Sequence, residues 1–308
     1  MWRFILRRLV SMVIALWIVV TVTFFLMHAI PGGPFTSEKK IPESILKNIE
    51  ARYRLDQPLM VQYWDYLKQV ITWDLGPSFK HEGRTVNDII NEGFPVSAAL
   101  GAVAILLSLM IAVPAGMISA LKQNGWQDNL IMFFSIIGIA VPSYVIAAVL
   151  MYVIGYKLAL LPVALWGTPK HMILPAITLA ASPTATIARL MRSSTLEVIN
   201  QDYVKTAKAK GLSGAAVLYR HVLKNAIIPV VSYLGPLIAT VFTGSFVVER
   251  LFAIPGLGRD YVYSIYDRDY TTIMGVTIFY ALLLLVMNLV VDIAYALLDP
   301  RIQYRKGA

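Results

Sequence analysis

The sequence predicts an all-α polytopic membrane protein with six transmembrane helices and a small external subdomain between the first two. Three observations carry this reading. Hydrophobic residues make up 57% of the 308 positions and charged residues only 15%, where soluble domains average about a quarter charged. Six apolar stretches approach or exceed the ~20 residues that cross a hydrocarbon core. Basic residues concentrate in every second gap between those stretches, as the excess of Lys and Arg on the cytoplasmic side of membrane proteins requires.

The first span is Leu9–Met27, apolar except for Ser11, Thr21 and Thr23 and preceded by Arg3, Arg7 and Arg8. A secretory signal shares the basic start, but its apolar core is shorter and ends in small residues at a cleavage site. Here the apolar run continues to His28-Ala29-Ile30-Pro31, so the segment reads as an uncleaved span with His28 a surface histidine at the far interface. Residues 31–94 are polar. They carry helix-like patches from Pro42 to Asp74, interfacial aromatics at Tyr53, Tyr63, Trp64 and Tyr66, a break at Trp73–Phe79 and a short helix at Val86–Asn91. This external subdomain is expected to lie on the membrane; binding a partner and simple packing onto the span ends fit it equally. The remaining spans are Val96–Leu121, Leu130–Ile154, Met172–Met191, Ile227–Val248 and Thr272–Leu298, with prolines at Pro114, Pro142, Pro183 and Pro236. Intramembrane proline bends a helix and is tolerated where neighbours cover the freed carbonyl. The domain division is therefore a tail and first span (1–30), the external subdomain (31–94), a transmembrane domain (95–298) and a cytoplasmic tail (299–308).

Charge sets the orientation. With the N-terminus inside, the cytoplasmic segments hold thirteen basic residues against the acids Asp128, Glu197, Asp202 and Asp299, which equals the whole net charge of +9. The external segments then balance. Both termini fall inside, and the basic excess is that of a membrane topology, not of a nucleic-acid partner.

The stretch Tyr203–Pro229 is a polar, basic island between the fourth and fifth spans, on the cytoplasmic face. Leu196, Ile199, Tyr203 and Ala207 recur with helical period. Gly211 supplies a helix stop, Ser213 an N-cap, and Val217, Leu218, Val222 and Leu223 the apolar side of a second helix. Lys205, Lys208 and Lys210 precede the turn; Arg220, His221 and Lys224 follow it. A helix–glycine–helix hairpin of this kind reads as a docking element.

The string Thr206-Ala207-Lys208-Ala209-Lys210-Gly211-Leu212, then Arg220–Ala226 and Pro229, resembles the cytoplasmic coupling loop of ABC-importer permeases. The family's pattern begins Glu-Ala-Ala, where this chain has Lys205-Thr206-Ala207. Further segments resemble the B-type permease subunit of bacterial oligopeptide and dipeptide ABC importers: Phe24-Phe25-Leu26, Pro31–Phe35, Gly76-Pro77-Ser78-Phe79, Phe94-Pro95 followed by Ser97, Trp126-Gln127-Asp128, Gly256-Leu257-Gly258 and Asp299-Pro300-Arg301. The resemblance covers nearly the whole chain. It implies a type I ABC-importer permease fold, with the loop at 193–226 docking into an ATPase through Lys205, Thr206, Ala207, Lys208, Lys210, Gly211, Leu212, His221 and Asn225. It also implies a second related permease, two ABC ATPase subunits that bind ATP and Mg, an extracytoplasmic peptide-binding protein and a peptide substrate. Dipeptide and nickel importers share this permease type, and a stand-alone secondary transporter is a further alternative.

Three local features stand beside that resemblance. Glu249–Gly258 follows the fifth span, and Pro255, Gly256 and Gly258 suit a compact external turn, either a gate or binding-protein contact or a structural turn. Asp292 lies within the sixth span, where a carboxylate is costly and usually paired or functional; Arg189 is its expected partner, and Asn288 one turn earlier suits a hydrogen bond across helices. Enzymatic chemistry finds no support. No Gly-Lys dipeptide exists for a phosphate loop, Tyr261 breaks the dinucleotide pattern begun by Gly256 and Gly258, cysteine is absent, and His28, His81, His171 and His221 are scattered. No metal or cofactor is expected in this chain.

Overall fold

The computed structural model describes residues 2–31, 55–242 and 246–298. Regular structure among them is helical: α1 (Trp2–Ala29), α2 (Leu59–Ile71), α3 (Val86–Leu121), α4 (Trp126–Ala140), α5 (Ser143–Leu150), α6 (Pro169–Ile199), α7 (Asp202–Ala209), α8 (Gly214–Val217), α9 (Lys224–Ala226), α10 (Ile228–Phe242), α11 (Phe246–Leu251), α12 (Leu257–Tyr266) and α13 (Tyr270–Leu298). π-Helical turns follow α5 at Met151–Lys157 and α8 at Leu218–Leu223. The contacts divide the chain into two units, Met1–Pro95 with Gly256–Leu285 and Val96–Pro255 with Val286–Ala308.

Among the described residues, four helices are long and apolar enough to cross a membrane: Leu6–Ala29, Val86–Leu121, Pro169–Ile199 and Tyr270–Ile293. Two bent pairs raise the number to six if each is one span. The expected span at Leu130–Ile154, in which Pro142 was to bend the helix, is one of these pairs. It is broken at Pro142, and the two pieces meet at 107°. Proline disfavours the helical conformation of the preceding residue, and Val141 accordingly leaves the helix at φ −85°, ψ 122°. The first piece has 15 residues and rises only ~22 Å, short of the ~30 Å core. Pro183 and Pro236, by contrast, sit inside unbroken helices. The expected fifth span, Ile227–Val248, is seen as α10, joined at 47° to the helical segment before it.

In the first unit, Val20, Phe24 and Met27 of α1 share a core with Tyr63 and Tyr66 of α2 and with Tyr270, Ile273, Met274 and Ile278 of α13. Tyr63 and Tyr66 are thus core residues, not the interfacial ones expected; Trp64 between them is exposed, and Tyr53 lies outside the described residues. The period of the helix explains it, since residues three apart share a face. His28 is not a plain surface histidine either. Its Nδ1 lies 2.8 Å from Phe24 O and its Nε2 3.3 Å from Gln62 Oε1, tying α1 to α2. The short helix expected at Val86–Asn91 is the start of α3, which runs on through Pro95 without a break. Leu75, Val86, Ile89 and Ile90 pack with Leu257 and Val276.

Asp269 organises this unit's polar interior. It is buried and accepts hydrogen bonds from the Ser78 hydroxyl, Phe79 N (3.1 Å), Thr271 Oγ1 (2.9 Å), Thr272 N (3.2 Å) and Thr272 Oγ1 (2.7 Å). One carboxylate thus caps the start of α13 and gathers the Gly76–Phe79 turn, satisfying buried donors that would otherwise cost free energy.

In the second unit, α3 and α6 cross almost backbone to backbone. A Cβ added at Gly116 would come within 2.5 Å of Ala188 O. Near that crossing Asp128, only 2% exposed, accepts two parallel bonds from Arg192 (Nε and Nη2, both 2.7 Å), one from the Ser119 hydroxyl and one from Asn124 N (2.9 Å). The end of α3, the start of α4 and the last turns of α6 are joined in this way. At the other end of α3, Ser97 Oγ donates to the buried Glu249 carboxylate at 2.8 Å.

Candidate functional site

The hairpin between α6 and α10 is built from local rules. The sequence period suggests one helix from Leu196 to Ala207; the structure interrupts it, because α6 ends at Ile199 and Gln201 takes extended backbone before α7 begins at Asp202. Gly211 stops the first arm in the left-handed region, φ +77°, where glycine has no Cβ penalty. Ser213 then caps the second arm by accepting a bond from Ala216 N at 3.3 Å. That arm is not a regular helix. One α turn is followed by the π turn at Leu218–Leu223 and a further short α turn.

The hairpin has two faces. Val204, Ala207, Val217, Val222 and Ala226 are buried, in one cluster with Ala112, Ala188, Met191 and Val230. Lys205, Thr206, Lys208, Lys210, Arg220 and Lys224 are exposed, as are Gly211 and Leu212 at the tip, while His221 and Asn225 are half-buried. The arms are tied where they meet the core: Asn225 Nδ2 donates to Tyr203 Oη at 2.9 Å and to His221 O at 3.1 Å. Lys205 Nζ lies 2.9 Å from Asp202 Oδ1, both exposed, and this hydrogen bond holds the Asp202 carboxyl below its ordinary range. Exposed pairs of this kind are screened by water and contribute little, so burial, not charge, fixes the hairpin. No atom lies within 4 Å of where a Gly211 Cβ would stand, so a side chain there would not push the two arms apart. Chemically, the element is a knob with an apolar base, a basic rim and an open tip.

Other sequence candidates lie apart from it. Neither Gly256 nor Gly258 takes a left-handed conformation. Gly256 is the extended N-cap of α12 (φ −99°, ψ 163°) and Gly258 is buried in that helix. The turn before Pro255 is made instead by Ala253 at φ +52°, closed by Ile254 N donating to Glu249 O at 2.8 Å. Arg189 is exposed and is not ion-paired with Asp292. Asn288 is half-buried beside Gly235 of α10, with its Oδ1 within 3.4 Å of where a Cβ would stand, and makes no hydrogen bond across helices among the described residues. The Asp128–Arg192 cluster has no local sequence signal, because its partners are 64 positions apart.

The chain matches the family model of the binding-protein-dependent transport system inner membrane component over residues 112–304, and the model for the N-terminal part of such membrane components over residues 1–101. It is 47% identical over 306 residues to the dipeptide transport system permease protein DppB of Bacillus subtilis, covering 99% of both chains. It is 44% identical over 306 residues to the oligopeptide transport system permease protein OppB of Salmonella typhimurium, covering 99% of this chain and 100% of that one. Among solved structures it resembles the inward-facing MetNI methionine ABC transporter, with a TM-score of 0.56 and 15% identity over 68% of this chain and 96% of that one. At that identity the likeness is one of fold.

Proposed function

The chain belongs to the family of binding-protein-dependent transport system inner membrane components, and from that membership we propose that it is the permease subunit of an ABC importer for peptides. In this reading it forms the translocation pathway with a second related permease. Two partner ATPases, which bind ATP and Mg, drive transport, and an extracytoplasmic binding protein delivers the peptide. The names of the relatives, dipeptide and oligopeptide permeases, supply the substrate class; they lend nothing to nickel import or to a stand-alone secondary transporter. This chain has no catalytic role.

The single observation that carries the coupling assignment is the two-faced hairpin. Lys205, Thr206, Ala207, Lys208, Lys210, Gly211, Leu212, His221 and Asn225 form or flank a projection whose exposed rim and tip suit a cleft with an acidic rim. Its buried face lies in the same core as α3, α6 and α10. Because packed interiors transmit strain, a displacement imposed on the tip is passed to those helices and not absorbed in a loose loop. Pro255, Gly256 and Gly258 belong to a gate or binding-protein contact in this reading, and Asp292 and Asn288 to intramembrane packing.

The reading places the hairpin in the cytoplasm and the 31–94 region outside. The chain has no cysteine, so single cysteines report position directly. In intact cells an impermeant maleimide is expected to label Glu82→Cys and to leave Lys208→Cys unlabelled until the cells are opened. The reverse pattern would invert the topology and remove the coupling role. Copurification of a tagged chain, with the partner ATPases retained and a peptide found on the binding protein, tests the assembly and the substrate together.

A further inference from the structure

We infer that one face of α6 lines the aqueous path through the transporter and that Arg189 on this face binds the terminal carboxylate of a peptide in transit. The helices of the second unit differ in what they expose. Between 96 and 121 the exposed residues of α3 are apolar, Val103, Leu106 and Met110 among them, and those of α4 between 130 and 140 are apolar too, with Phe133 and Phe134. Between 171 and 199, α6 exposes Ile173, Ser182, Arg189, Ser193 and Glu197. At about 100° per residue the last four fall within about 80° of one another, and Ile173 falls on the opposite side. Lipid suits the first two surfaces. It does not suit the third, because a charged side chain at membrane depth faces a bundle interior or a water-filled cavity.

Arg189 stands about 15 Å from the end of α6 at Ile199 and about 30 Å from its start at Pro169. Its neighbour Ala188 is pressed against Gly116 of α3, which runs on to Leu121, so the side chain leaves the backbone among packed helices. The two guanidiniums of this part of α6 are used differently. Arg192 is taken up by Asp128 through two bonds of 2.7 Å. Arg189 makes no hydrogen bond or ion pair among the described residues. The acid nearest to it on the exposed face of α6, Glu197, is two turns away, about 12 Å along the axis. The Thr186 hydroxyl beside it is directed to Ser182 O at 3.1 Å, which leaves the guanidinium as the charged group of this wall.

Charge complementarity selects the occupant. A planar guanidinium presents two parallel donors to a carboxylate. Every peptide with a free C-terminus ends in that group whatever its side chains, so one arginine on a hydrated wall recognises the class and not a sequence. With water around it and no second cation on the same face, it holds its ligand weakly, and passage requires a site that the substrate can leave. This inference rests on the peptide-importer reading and names the group of this chain that meets the substrate. The hairpin takes no part in it.

The test uses the assembled permeases and ATPases in phosphatidylcholine nanodiscs, with the binding protein left out so that only the membrane subunits meet the peptide. Thr186→Cys, three residues before Arg189 on the same face, is the probe, and Val103→Cys on α3 is the lipid-facing control. An anionic and a cationic methanethiosulfonate are applied to each, and modification of this chain is followed by mass spectrometry. Both reagents should modify Thr186→Cys much faster than Val103→Cys. Adding Arg189→Gln should lower the anionic-to-cationic rate ratio about threefold, the scale of one unit charge about 6 Å away in water, with assembly unchanged. Trialanine in excess should slow the modification and trialanine amide should not; this protection should vanish in Arg189→Gln and persist in part in Arg189→Lys. Modification of Thr186→Cys as slow as that of Val103→Cys would show the face covered by lipid or by the second permease and overturn the inference. So would absent protection, equal protection by acid and amide, or protection indifferent to Arg189→Gln. None of these results touches the importer reading, which fails if the parent complex, supplied with its binding protein, takes up no peptide.

Discussion

Gly211→Asp leaves the permease folded and removes transport. The fold survives because the position is exposed and no atom lies within 4 Å of a new Cβ. The remaining cost is a side chain in the left-handed region, about 1 kcal/mol, and Asp is among the residues that tolerate it best. What changes is the tip presented to a partner: on the proposed docking, a carboxylate would stand where a cleft with an acidic rim closes. A loss of about 1.4 kcal/mol in docking already weakens binding tenfold, and a buried unpaired charge costs more than that. Peptide uptake and membrane recruitment of the ATPases should therefore both fall by at least about tenfold at matched permease levels. Lys208→Ala removes one hydrated cation and should change either by no more than the ~0–1 kcal/mol of an exposed pair. Normal recruitment and uptake in Gly211→Asp would end the coupling assignment.

Arg192→Leu acts in the opposite way, through the amount of folded protein. The substitution leaves the Asp128 carboxylate buried with only the Ser119 hydroxyl and Asn124 N as donors. Breaking one side of a buried ion pair costs about 3–5 kcal/mol, whereas replacing both sides costs far less. The single variant should lose its monodisperse peak on gel filtration at a much lower temperature than the parent. Asp128→Asn combined with Arg192→Leu should recover part of the loss. Arg192→Lys should fall between them, because an ammonium cannot supply two parallel N–H bonds from one planar group. A single variant that melts with the parent would show that the cluster contributes nothing to stability.

The sequence reveals what is local. Apolar length marks the spans because lipid offers no partner for exposed backbone. Gly211, Ser213 and the spacing of Val217 and Val222 mark the hairpin because a stop, a cap and a buried stripe each act within a few residues. Less visible is where a span breaks. Pro142 ends a helix and Pro183 lies inside one, a difference made by surrounding packing and not by the proline. Long-range polar pairing is not visible at all. Ser78 meets Asp269 across 191 positions, and Arg192, not Arg189, carries the ion pair of α6, because one helical turn decides which side of a helix faces a buried acid. Tyr63 and Tyr66 are hidden from the sequence for a related reason: an aromatic at a membrane surface and one in a core against α1 have the same sequence signature.

The π turn at Leu218–Leu223 bears on how this arm can change in length. A π turn closes its hydrogen bonds one residue later than an α turn, so the arm stores one surplus residue there. Deleting a residue from an ordinary helix rotates everything beyond it by about 100°, one residue's share of a 3.6-residue turn. Deleting one from 218–223 would instead convert the wide turn into a regular one, leaving Val217 on one side and Ala226 on the other still facing inward. This six-residue segment is therefore where the hairpin can shorten across related chains without turning its basic rim into the core.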